Sequence, residues 1–171
     1  SWVPYSSSAA WTLGETNKQT HVYTKFRNDV IESNCVSDSI THDDQAPTVR
    51  FVSTPANPSN IFSARIETQA NDTISGVKSL FCKVDAAAYV ACASVLNLTN
   101  LSEGLHTVSV YAEDNAGNVS QPISTSWMID TTSPMVQITS QPTNPTILST
   151  ADFTFTITDA GSGIASIVCR L

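Results

Sequence analysis

Basic residues are scarce in this 171-residue chain: 8 Lys and Arg stand against 15 Asp and Glu, a formal net charge of −7. That balance argues against nucleic acid, where a basic patch supplies most non-specific affinity, and equally against an anionic membrane surface. Long apolar runs are missing too. No stretch approaches the ~20 residues that cross a bilayer as a helix, so no membrane insertion is expected. Residues 1–30 lack the basic-then-apolar order of a signal peptide, and an export signal is expected outside the sequence given. His21, His42 and His106 stand in no zinc-protease pattern and beside no nucleophile motif, so no enzyme activity and no catalytic residue is expected.

What the chain does have is strand-forming sequence. Charged residues make only 13%, Ser and Thr are frequent, and sustained helical periodicity is absent. Thr, Val and Ile suit pleated strands, with Pro, Asn, Gly and Ser punctuating them, so the chain reads as all-β. An internal repeat organises it. At an offset of 87 residues Pro47 meets Pro134, Val49 meets Val136, and Pro55, Asn57 and Pro58 meet Pro142, Asn144 and Pro145. Asp72, Ser75, Gly76 and Cys82 meet Asp159, Ser162, Gly163 and Cys169 without a gap. Backwards, Asp130 maps onto Asp43 and Tyr89 to Cys92 onto Trp2 to Tyr5, while Val22 to Phe26 matches Val108 to Ala112 after a one-residue shift. The parse is a C-terminal half repeat at 1–46, a complete repeat at 47–133 and an N-terminal half repeat at 134–171, an excerpt of a longer array.

Within the complete repeat, Val49 and Phe51 mark a first strand. Phe62, Ala64, Ile66, Thr68 and Ala70 form the inward side of a second. Val77–Val84 and Tyr89–Leu96 are expected to form a hairpin, followed by strands carrying Val108, Val110 and Ala112, then Ile123, Thr125, Trp127 and Ile129. About seven strands with turns every 8–12 residues is the pattern of an immunoglobulin-like sandwich. Cys82 and Cys92 lie on the two strands of the hairpin and should pair; Cys169 is the repeat equivalent of Cys82, and Cys35 has no repeat-derived mate. Cys-x9-Cys without a nearby histidine does not support zinc. Disulfides imply an oxidising compartment. The Asn-x-Ser/Thr matches at Asn71, Asn97, Asn100 and Asn118 read as incidental, and Trp2, Trp11, Trp127 and Tyr111 read as packing residues rather than a sugar-stacking face.

The order Phe81–Cys92, Leu101–His106, Tyr111–Asn118 and Trp127–Pro134 resembles the bacterial immunoglobulin-like repeats of secreted and cell-surface proteins, of adhesin or fibre type. That resemblance implies tandem immunoglobulin-like β-sandwiches outside the cell or on its surface. It also implies partners that are other protein chains, copies of itself, a host-cell surface or a glycan. Such topology gathers the incoming linker and two loops at one pole. Asp43, Asp44, Asp72, Asp114 and Asn115, with Asp130 and Asp159 at the next junction, would then offer oxygens to Ca2+, which takes 6–8. The expected role is a structural stalk. The alternatives are a binding module using pole loops, with Asn28–Cys35 the segment that breaks the repeat register, or an accessory domain of a large secreted hydrolase.

Overall fold

The computed structural model describes residues 6–170, so the expected counterpart of Tyr89–Cys92 at Trp2–Tyr5 lies outside the described residues. All regular structure among them is β. The strands are β1 (Lys18–Thr24), β2 (Val36–His42), β3 (Thr48–Ser53), β4 (Ser63–Asn71), β5 (Val77–Val84), β6 (Val90–Cys92), β7 (Val95–Thr99), β8 (Gly104–Asp114), β9 (Ile123–Ile129), β10 (Met135–Ser140) and β11 (Thr154–Thr158).

A two-sheet sandwich occupies the middle of the chain. One sheet runs β3-β4-β7 and the other β6-β5-β8-β9, all antiparallel neighbours. This is an immunoglobulin-like arrangement, with the short β6 paired at the edge of the four-stranded sheet. Period-two alternation builds the core. Ala64 and Ile66 on β4 face Cys82, Val108, Val110, Trp127 and Ile129 from the opposite sheet, with Val49, Phe51, Leu96 and Leu98 closing the sides. Full burial of each large side chain here contributes about 1.5–3 kcal/mol. The Cys82–Cys92 disulfide closes the β5–β6 hairpin, its Cα atoms 5.9 Å apart, with Cys82 inside the core. Cys35 and Cys169 are free and exposed.

Two expectations are corrected. Tyr89–Leu96 is not one strand: β6 ends at Cys92, and β7 begins at Val95 in the other sheet. Phe62 precedes β4 and is 45% exposed, so it is not a core residue. Of the packing aromatics, Trp127 is buried and Tyr111 half-buried against Phe81 and Tyr89, whereas Trp11 is exposed.

Two-stranded sheets flank the sandwich. β10 pairs with β11 from Met135↔Thr158 to Ile138↔Phe155, then slips to Ser140↔Thr154. β3 and β4 pair from Thr48↔Asn71 to Phe51↔Thr68, then slip to Ser53↔Glu67. Every partner, and the irregularity itself, is displaced by the same 87 residues. β1 pairs with β2 from Lys18↔His42 to Thr24↔Val36, as β8 pairs with β9 from Gly104↔Ile129 to Val110↔Ile123, with β1 offset by 86. The faces equivalent to the sandwich interior are open on the flanking sheets: Val136, Ile138, Phe155 and Ile40 are all more than 40% exposed.

Candidate functional site

The strands deliver three acidic positions to one end of the sandwich. The linker after β2 brings Asp43, the turn after β4 brings Asp72, and the last residue of β8 is Asp114. One carboxylate oxygen from each lies within 4.8 Å of the others. The surrounding donors are mostly backbone amides, because tight Asx-type turns aim N–H groups at the side chain that opens them. Asp72 Oδ1 accepts from Ile74, Ser75 and Gly76 at 3.1, 3.0 and 2.7 Å. Gly76 closes that turn at φ 81°, a left-handed conformation that glycine adopts without strain. Asp114, fully buried, accepts from the Ala116 and Asn118 amides and from Asn118 Nδ2 at 2.8–2.9 Å.

Asp43 joins linker to sandwich. Its Oδ1 accepts from the Gln45 amide at 2.9 Å and its Oδ2 from the Ser75 amide at 3.1 Å, while Asn118 Nδ2 donates to its carbonyl at 3.1 Å. Hydrogen bonding, with Ser75 the largest contributor, holds the Asp43 carboxyl below its ordinary pKa against burial and the nearby Asp114. Burial works to raise Asp114, but the bonds from Asn118, Gly117 and Ala116 outweigh it and its pKa is also lowered. Asp43 and Asp114 are therefore held in their ionised form on oriented N–H dipoles.

Of the residues expected to bind calcium, Asp43, Asp72 and Asp114 converge. Asp44 is exposed, and what is held there is its amide, on Asn17 Oδ1 at 2.9 Å. Asn115 straps the Asp72 turn, its Nδ2 donating to the Ser75 and Gly76 carbonyls at 2.8 and 3.0 Å. Asp130 and Asp159 lie at the second junction, on Ser162 and on Gly161 and Gly163 respectively. Three carboxylates supply about half of the oxygen shell a calcium ion takes, and the remainder would be water. Their types and spacing fit a hard cation, although amide donors already engage each of them.

A second polar group went unseen in the sequence. His106 Nδ1 lies 2.8 Å from Asp85 Oδ2, and its Nε2 lies 3.0 Å from the Ser102 carbonyl and 3.5 Å from Ser102 Oγ. The ring is buried and tilted against Trp127. When protonated, the ring donates from Nδ1 to the carboxylate and from Nε2 to the carbonyl. A ring so engaged has no lone pair to take the Ser102 proton. The Ser102 carbonyl and then Asp85 raise its pKa above the ordinary imidazole value, outweighing burial. Asp85 lies 21 residues away in a turn, and no motif links the two.

No family model matches the sequence, and no curated protein matches it. Among solved structures, the PKD1 domain of Vibrio anguillarum Epp is similar at 16% identity and a TM-score of 0.41, over 52% of this chain and 100% of that one.

Proposed function

We propose that the chain is a stalk segment of an extracellular bacterial fibre, adhesin or surface protein, built from head-to-tail immunoglobulin-like repeats of 87 residues. One observation carries the reading. The β10–β11 pairing repeats that of β3–β4 partner for partner, irregularity included, at the offset seen in the sequence. On this reading β1–β2 closes one unit, β3–β9 is a whole unit, and β10–β11 opens another. The Cys82–Cys92 disulfide supports an oxidising compartment. No catalytic role is assigned to Asp85, His106 and Ser102, since the two ring nitrogens are engaged by the Asp85 carboxylate and the Ser102 carbonyl. An accessory module of a secreted hydrolase would have the same build.

Small-angle scattering on the chain tests this reading. A stalk gives a radius of gyration well above the roughly 16 Å of a compact chain of this length. A value near that figure would refute it.

A contact role is the second reading, and the first unit's loop favours it. Val30 is 92% exposed and Ile31 69%, on a turn that Asn28 Oδ1 pins through both their amides. A preformed apolar tip suits a protein or glycan surface, or another copy of the chain. If Val30→Ser/Ile31→Ser leaves concentration-dependent self-association and binding to glycan arrays unchanged, the tip is not a contact site.

A further inference from the structure

Units joined by a short linker with a small polar interface move relative to one another by default. Both linkers here carry a device that opposes this. We infer that residues 43–47 and 130–134 are two-sided joints, each fastened to the unit before it and to the unit after it, so that successive repeats meet at one fixed angle. The inference rests on the repeat reading above and adds how the angle is set.

The backward fastening is made on the second linker residue. Asn17, just before β1, accepts the Asp44 amide at 2.9 Å and donates its own amide to His42 Nδ1 at 3.2 Å. At the second junction Glu103, just before β8, accepts the Thr131 amide at 3.1 Å with both carboxylate oxygens and also takes the Thr131 hydroxyl. The acceptors differ, as do the linker side chains, yet the same backbone N–H is held from the same place in the preceding unit.

The forward fastening is made on the first linker residue. Asp43 and Asp130 each divide their two oxygens. Oδ1 closes a local turn on the Gln45 or Thr132 amide, at 2.9 and 3.0 Å, and so orients the carboxylate. Oδ2 reaches the next unit's loop, on the Ser75 amide at 3.1 Å and the Ser162 amide at 2.6 Å. The second joint is tight enough to restrict the loop residue beside it. A Cβ on Gly161 would sit 2.3–2.6 Å from Asp130 carboxylate atoms, so this position admits only glycine without rearrangement. One aspartate facing forward and one amide facing back leave the linker no free rotation. The joint needs an aspartate at its first position and only a side-chain oxygen from the preceding unit, which is why the flanking residues vary between junctions.

Residual dipolar couplings on the intact chain test the joint. With joints as described, amides of β1–β2, of the sandwich and of β10–β11 fit one shared alignment tensor. Asn17→Ala and Asp43→Ala each abolish sharing between β1–β2 and the sandwich while leaving β10–β11 coupled to it; Asp130→Ala does the reverse. Unchanged sandwich chemical shifts show that the variants fold. Three outcomes would overturn the joint: separate tensors in the unsubstituted chain, a shared tensor that survives Asp43→Ala, or random-coil shifts over β1–β2. None of these removes the repeat reading, because half a unit need not hold its two strands alone; that reading falls instead if scattering gives the compact radius.

Discussion

At the scale of single residues, His106 governs how stability responds to pH. Its folded pKa is raised, with the Ser102 carbonyl the largest cause and Asp85 next. The stabilisation is therefore complete below the unfolded value near 6.5 and is lost as pH rises through the higher folded value. Asp85 acts in the opposite sense. Burial works against it, but the Thr107 amide and His106 outweigh burial and lower its pKa, so its contribution is present above 3.8 and is lost as pH falls through the lower folded value. Thermal melts across pH should show stability declining on the alkaline side of a plateau, and His106→Gln should remove that decline. His106→Gln is expected to cost about 1–3 kcal/mol at pH 6, because an amide at this buried position cannot hold both the Asp85 carboxylate and the Ser102 carbonyl as the ring does. An unchanged alkaline decline in the variant would assign it to another group. In the core, Ile66 is fully buried between the sheets, and Ile66→Ala should cost about 2–5 kcal/mol by denaturant titration.

At the scale of elements, the β5–β6 hairpin depends on a covalent tie, since β6 is only three residues long. Replacing Cys82 and Cys92 by Ala should lower stability by about 2–3 kcal/mol, the entropy of a ten-residue separation, and more through the methylene-sized gap at buried Cys82. The acidic pole makes a second prediction. With three carboxylates and water as ligands, Ca2+ should bind weakly, with a dissociation constant of roughly 10⁻⁴–10⁻³ M, as in extracellular modules. Calorimetry should show that binding lost in Asp72→Asn; no heat at millimolar calcium would leave the carboxylates as hydrogen-bond acceptors alone. Much of this scale was legible in the residues. Ala64, Ile66 and Thr68 alternate cleanly, as do Val108, Val110 and Ala112, because one face of each strand must be buried. The switch of sheet between Cys92 and Val95 left no periodic mark, since two short strands in sequence read like one. The joint acceptors were hidden for a different reason. Asn17 and Glu103 share a position but not a residue type, and a backbone amide, which carries no residue signature, is what each one holds. The Asp85–His106 pair was equally invisible, being a contact between a turn and a strand far apart in the chain.

At the scale of the whole molecule, the proposed stalk is an arrangement of modules along a line rather than one enlarged core. On that reading a complete unit buries its own apolar face, as the central sandwich does, short polar joints link the units, and the net charge of −7 favours solubility of an extended form. The flanking sheets keep open the faces that the complete sandwich covers with its opposing strands. The central claim is the 87-residue unit itself, and duplication tests it most directly. A chain in which residues 47–133 are repeated once, immediately after residue 133, should fold with a second sandwich and the same type of joint. Its maximum dimension by small-angle scattering should then grow by about one sandwich length, roughly 37 Å if an eleven-residue strand such as β8 sets it. Growth of that order, with no loss of melting temperature, is the predicted result. A chain that misfolds on duplication, or that gains mass without gaining length, would contradict the repeat and the stalk together.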